Sequence, residues 1–211
     1  TFEQWSAKMG LIRENQKAET VLFQTCYVQH NEPQIGKDTL EVLEKNKVDC
    51  ACVKGLKCCG MPAWEQGDLE TLRVNAKHNL DILIPFVEKG SKVLVINPTC
   101  SMMMRREYTE LLDGEDRERA KKLSEAVNDP SEYLWNIRNE DRFNTDVNSI
   151  PNEKINYHAP CHLRAQGIGF KGRDLIKKIT GSNVKTVMEC CGHDGTYAMK
   201  VEGFDASKRI G

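Results

Sequence analysis

No apolar run in this sequence approaches the roughly 20 residues that a helix needs to cross a bilayer. No signal-peptide pattern follows Thr1. An excess of one charge is missing too. The 30 basic and 31 acidic side chains leave a formal net charge of -1, which supplies no field to draw in nucleic acid or an anionic membrane. No acid–base pair or activated hydroxyl stands out as a catalytic constellation. The remaining options lie with the 211-residue length, enough for one large α/β domain or two small ones, and with nine cysteines. The chain opens without Met and stops at Ile210-Gly211, which is what a piece of something longer would show.

The cysteines argue against a disulfide framework. Such frameworks belong to short secreted chains, whereas here two Cys-Cys pairs sit in an ordinary soluble composition and the odd count leaves one thiol over. Vicinal cysteines also bridge each other poorly, because the closed ring strains the peptide between them. The compartment reads as reducing, and the cysteines as ligands.

Val21 to Val28 reads as a strand ending near Cys26. Pro33 and Gly36 open a helical stretch whose Ile35, Leu40, Val42 and Leu43 are expected to face a core. Val48 to Val53 is a second strand, leading into the turn Lys57-Cys58-Cys59-Gly60-Met61-Pro62. Asp68 is the expected N-cap of a long amphipathic helix through Leu69, Leu72, Ala76, Leu80, Leu83 and Phe86. Lys92 to Ile96 is the third strand, and Pro98-Thr99-Cys100-Ser101 starts the next helix. This alternation argues for a parallel sheet covered by helices, with Cys26, Cys58, Cys59 and Cys100 just past the carboxyl ends of the strands. In open parallel sheets that edge is where ligands bind.

Residues 113–150 are rich in Arg, Glu, Asp and Asn and read as a solvated insertion, helical from about Glu115 to Val127. Beyond them the first pattern restarts. Ile155 to Ala159 is a strand ending at Pro160-Cys161-His162, a helix covers about Arg173 to Ile179, and Val184 to Met188 leads to Cys190-Cys191-Gly192. The interval from Cys26 to Cys58 and from Cys161 to Cys190 is roughly thirty residues in each, as in an internal repeat. The expected organisation is a first unit over 1–112, an insertion over 113–150 and a second, incomplete unit over 151–211.

Thiolates are soft donors that select iron–sulfur clusters and zinc. A single zinc is normally gripped by Cys-x-x-Cys spacings. Adjacent cysteines in a glycine turn reach different metal atoms more naturally, which favours a multinuclear cluster, with Gly60 permitting its close approach. The helix N-termini near Ser101 and Asp68 are expected to favour thiolate. Cys50 and Cys52 alternate along a strand and read as packed hydrophobes. His158, His162 and His193 flank the second set and read first as structural histidines; Met102, Met103 and Met104 read as packing, and Trp64 as a core or rim aromatic. His30 and His78 carry no signal.

Cys26 with Asn31-Glu32-Pro33, then Cys58-Cys59-Gly60-Met61-Pro62 with Gly67-Asp68, then Pro98-Thr99-Cys100-Ser101, resembles the cysteine-rich CCG domain. So does His158-Ala159-Pro160-Cys161-His162-Leu163-Arg164 followed by Cys190-Cys191-Gly192. That family includes the cysteine-rich subunit of heterodisulfide reductase, the iron–sulfur subunit of glycolate oxidase and lactate-utilisation proteins. The run Gly195-Thr196-Tyr197-Ala198-Met199-Lys200 looks most like the corresponding subunit of anaerobic glycerol-3-phosphate dehydrogenase. The resemblance implies two tandem units, each holding a cluster or a zinc ion. In the family these relay electrons from a flavin partner, or cleave a disulfide on a noncubane [4Fe–4S] cluster. The ferredoxin-like domain that commonly precedes them would show a Cys-x-x-Cys-x-x-Cys run, absent from this sequence. Asn97 stands where the family usually has the first cysteine of Cys-Pro-Thr-Cys, so one ligand of that set is missing, and a four-thiolate cubane or a zinc is as defensible there.

The expectation is therefore an iron–sulfur electron-transfer component of a flavin- or thiol-linked oxidoreductase. Cys26, Cys58, Cys59 and Cys100 would hold the first group, and Cys161, Cys190 and Cys191 would belong to a second. The alternatives are a disulfide reductase with a catalytic cluster and a zinc-stabilised scaffold. Expected partners are a flavoprotein or ferredoxin-like subunit, with no nucleic acid and no membrane insertion. The expected location is the cytoplasm, or beside a membrane through partner subunits.

Overall fold

Thr20, Val21, Leu22 and Phe23 are all buried, and β1 (Thr20–Phe23) has the unbroken apolar character of a strand covered on both faces. The computed structural model describes residues 1–14, 16–146, 154–193 and 196–211. It divides into two compact units, Thr1–Tyr133 and Leu134–Gly211.

In the first unit, helix α1 (Phe2–Lys8) opens on a capping box between Thr1 and Gln4. After β1 come α2 (Thr25–His30), α3 (Pro33–Lys45) and the short β2 (Cys50–Ala51), then α4 (Met61–Glu65), α5 (Leu69–Val87) and β3 (Lys92–Val95). Next are α6 (Pro98–Met102), a π turn (Met103–Glu107), α7 (Tyr108–Leu111), α8 (Gly114–Ala126) and β4 (Val127–Asn128). The strands form one parallel sheet in the order β2-β1-β3-β4, with Val21 beside both Ala51 and Val93. Every crossover carries helix, as parallel pairing requires. Helix α5 packs Leu72, Ala76, Leu80 and Leu83, each fully buried, into the same core as Val21, Phe23, Val93 and Val95. Asp68 caps it by accepting the Thr71 N–H at 3.1 Å.

Three local expectations need correction. The apolar run from Val21 is not one strand, since it ends at Phe23 and Cys26 lies in the first turn of α2. The break is at Thr25, whose φ of 57° turns the chain out of the extended form. In α3 only Leu43 is buried as expected, while Ile35 and Val42 are 40% and 43% exposed. The inward face of α3 is set by Gly36, where a Cβ would lie 2.5 Å from the Phe2 ring and 2.8 Å from Val28. Leu43, two turns on, shares that face. The second strand is also shorter than Val48–Val53, with Cys52 bridging to Ile12 instead. Met103 and Met104 are fully buried packing residues, as expected.

Helix α9 (Pro130–Asn136) leads into the second unit. There β5 (Ile155–His158) pairs in parallel with β6 (Val184–Val187), His158 beside Val187. The helices are α10 (Cys161–Ala165), α11 (Lys171–Thr180) and α12 (Val201–Ile210), the last after a 3₁₀ turn (Tyr197–Met199). Among the described residues no helix is long and apolar enough to cross a membrane.

Candidate metal centre

The parallel sheet delivers Cys26, Cys58, Cys59 and Cys100 from three different crossovers. Cys26 follows β1 on α2, Cys58 and Cys59 follow β2 just before α4, and Cys100 follows β3 on α6. Their side chains meet. The Cys58 sulfur is in hydrogen-bond contact with those of Cys26 and Cys59, and Cys59 in turn with Cys100. Cys58 also accepts the backbone N–H of Gly60. Exposure is graded along the row: Cys100 and Cys59 are 5% and 3% exposed, Cys58 is half-buried and Cys26 reaches the surface.

This arrangement divides charge unevenly. The contacts from Cys26 and Cys59, with the Gly60 amide, pull the Cys58 thiol well below its ordinary value. Cys26 is pushed up, first by its bond to Cys58 and then by burial. Cys59 is pushed up by its bonds to Cys100 and Cys58 and by burial. Cys58 is thus favoured as thiolate and well prepared as a donor for a cation. Among the described residues no three His, Cys, Asp or Glu side chains are grouped as around one metal ion. The sulfurs meet pairwise in sequence, which suits donors to separate metal atoms of one cluster.

The Cys58-Cys59-Gly60 turn is held from behind by two residues that the sequence pattern did not single out. Asn79, fully buried on α5, accepts the Lys57 N–H at 2.8 Å and donates to the carbonyls of Lys57 at 3.1 Å and Cys58 at 3.4 Å. Tyr108, also fully buried, donates its hydroxyl to the Cys59 carbonyl at 2.9 Å. Asn79 hydrogen-bonds the Tyr108 hydroxyl as well. The one available signal was Asn79 itself, a polar residue in the apolar stripe of α5. Gly60 has φ 93°, and a Cβ there would lie 3.0 Å from Leu72 Cγ. The glycine thus serves a left-handed turn packed on α5, which is more than the close approach of a cluster that the sequence suggested. Leu72 and Asn79 of α5 flank the turn. Asn97 caps α6, its side chain accepting the Thr99 N–H at 3.1 Å.

Beside Cys26 and Cys58 lies a cavity of about 80 Å³, also lined by Gln24, Thr25, Gln29, His30 and Lys57. His30 thus borders the site despite carrying no signal in the sequence. Thr25, just before Cys26, is a β-branched residue held in the left-handed region, a strain tolerated only where the surroundings enforce it. Cys50 and Cys52 lie apart from the row. Burial pushes both thiols up to about 12, and Cys52 bonds Ser6. Trp64 is 40% exposed, a rim aromatic.

In the second unit Cys161 opens α10, and Cys190 and Cys191 follow β6; all three are exposed. Arg164 Nη2 donates to the Cys161 sulfur at 3.3 Å. The Gly192 N–H donates to the Cys190 sulfur at 3.3 Å, the counterpart of the Gly60 amide beside Cys58. Gly192 has φ 70°, and its missing Cβ admits the Ser207 carbonyl of α12, which would stand 2.3 Å from that atom. His158 hydrogen-bonds the Glu189 carbonyl at 2.9 Å, a structural bond of the kind expected of it.

The profile of the cysteine-rich CCG domain matches residues 20–105 and 155–210. This chain belongs to the cysteine-rich CCG domain family. Among curated relatives, a subunit of the anaerobic glycerol-3-phosphate dehydrogenase of Escherichia coli K12 is 29% identical over 213 aligned positions, covering 100% of this chain and 52% of the relative. Lactate utilization protein A 2 of Bacillus cereus AH820 is 29% identical over 189 positions, covering 87% of this chain and 75% of the relative. The chain therefore spans about half the length of the dehydrogenase subunit.

Proposed function

We propose that this chain is an iron–sulfur electron-transfer component of an oxidoreductase, working beside a flavoprotein or ferredoxin-like subunit in the cytoplasm. The observation that carries the reading is the contiguous row of four sulfurs at the carboxyl edge of the β1–β3 sheet, with Cys58 favoured as thiolate. Cys26, Cys58, Cys59 and Cys100 would hold a [4Fe–4S] group, which when bound would accept and release one electron at a time. Two donors buried and one at the surface suit that task. The buried sulfurs keep water from the group, and Cys26 leaves an electronic exit toward a partner. Cys161, Cys190 and Cys191 belong, in this reading, to a second site in the second repeat. The names of the relatives, a subunit of a dehydrogenase and a lactate-utilisation protein, agree with a place in an oxidoreductase system.

The deciding test is iron, zinc and acid-labile sulfide content, with an optical spectrum, on the chain purified without oxygen. Iron matched by sulfide under a broad visible absorbance supports the relay. Zinc without sulfide would replace it with a structural role. Cleavage of a heterodisulfide by the reduced protein would instead make it a reductase.

A further inference from the structure

Three successive carbonyls of the cysteine turn are captured by side chains instead of by the sheet. Asn79 takes those of Lys57 and Cys58, and Tyr108 takes that of Cys59. No peptide in the described chain is cis, so each of these peptide units directs its N–H away from the side chain that holds its carbonyl. The unit held by Tyr108 is the one whose N–H belongs to Gly60, and that N–H lies within reach of the Cys58 sulfur. The phenol thus holds the carbonyl end of a peptide dipole whose N–H end faces the Cys58 sulfur.

Resting on the iron–sulfur reading above, we propose that Tyr108 is a positioning residue. With Asn79 behind it, it aims the Gly60 amide at the Cys58 sulfur and thereby raises the reduction potential of the group the cysteines hold. An amide donated to a cluster sulfur stabilises the added electron, and hydrogen bonds to the sulfurs are among the protein's main controls on potential. The phenol strengthens that control. Donating to a carbonyl polarises the whole peptide and makes its N–H the better donor. Gly60 permits the geometry through its φ of 93°, and the second unit reproduces the amide-to-sulfur bond at Gly192 and Cys190. The recurrence marks this bond as part of the motif. Tyr108 is the first unit's way of holding it, placed there by the π turn at Met103–Glu107.

The test uses the full chain, reconstituted anaerobically, as wild type, as Tyr108→Phe and with Tyr108 replaced by 3-fluorotyrosine. Tyr108→Phe should keep its iron and sulfide but show a lower midpoint potential. The fluorinated phenol, a stronger donor of nearly the same shape, should shift the potential upward. A residue that only filled space would give no such opposed shifts, and an unchanged potential in both variants overturns the proposal. If Tyr108→Phe fails to fold, the fluorinated chain decides alone. Amide exchange in the metal-free chain gives a second readout: the Gly60 N–H should exchange several-fold faster in Tyr108→Phe, while the Val93 N–H of β3 is unmoved. Equal Gly60 exchange overturns the positioning role. A wild-type chain that holds zinc without sulfide overturns the functional reading instead, and leaves the exchange measurement to judge the geometry.

Discussion

Cys52 and Cys59 are both buried, but Cys59 bonds two sulfurs whereas Cys52 bonds a serine hydroxyl. Burial alone therefore does not separate the two; the neighbours do. In the proposed iron–sulfur reading, Cys59→Ser should lose most of the first unit's iron and Cys52→Ala should keep it, as measured by iron and sulfide per chain. Equal losses would mean that the two environments have been misjudged. Gly60→Ala forces a side chain into the left-handed region against Leu72, and should cost about 1–3 kcal/mol in urea unfolding. A different residue reports on pH. The bond from Arg13 lowers the Asp49 carboxyl, so its contribution is present above about pH 4, the ordinary carboxylate value, and fades as pH falls through the lowered one. Asp49 is 51% exposed, so solvent screening keeps the effect below about 1 kcal/mol. Asp49→Asn should melt slightly lower than wild type at pH 7, and the gap should close near pH 2. At this scale the meeting of Cys26, Cys58, Cys59 and Cys100 was legible because the Cys-Cys-Gly turn and the strand ends place them at one sheet edge. Tyr108 was not, because only a π turn decides which way a residue in that continuous helical stretch points, and no periodicity announces it.

Helix α5 does two jobs. Its leucines close the core, and one position of the same buried stripe, Asn79, is given over to the backbone of the cysteine turn. A buried Asn at such a place is stable only because its polar atoms are satisfied. Asn79→Ala would leave the Lys57 N–H and its carbonyl without partners. It should cost about 2–4 kcal/mol, from the desolvation of those groups, in chemical denaturation of the metal-free chain. Loss below about 0.5 kcal/mol would show that water reaches the turn and replaces the side chain. The long helix and its Asp68 cap were readable from sequence, since nineteen residues of apolar period and a capping carboxylate agree. The run from Val21 to Val28 was not, because an apolar stretch without polar alternation looks alike as strand or helix, and the turn at Thr25 lies in a backbone angle that the sequence does not disclose.

At the scale of the molecule, the first unit is a four-stranded parallel sheet with helix in every crossover, and the second has a two-stranded sheet among its described residues. Two strands alone are marginal, so amides of β5 and β6 should exchange faster than those of β1 and β3. The thiols should follow the same division. In the metal-free chain, iodoacetamide followed by mass mapping should label Cys161, Cys190 and Cys191 well before Cys52, Cys59 and Cys100. The parallel α/β class and the repeat were both legible, since strands and helices alternate and the interval from lone cysteine to paired cysteines recurs. The sheet order was not, because every parallel pairing of short strands satisfies the same pattern.

That order has a consequence in time. The row of sulfurs is assembled from segments reaching from Cys26 to Cys100, and β1 cannot be flanked on both sides until β3 has been made. A chain leaving the ribosome at about 5–20 residues per second spends several seconds with Cys26, Cys58 and Cys59 already synthesised and no place yet built for them. Pairings over such distances close slowly. Throughout that interval the thiols are open to oxidation and to stray metal. The group proposed for the row could therefore enter only a nearly finished unit, and the order in which the strands lock together would decide when the four sulfurs first meet.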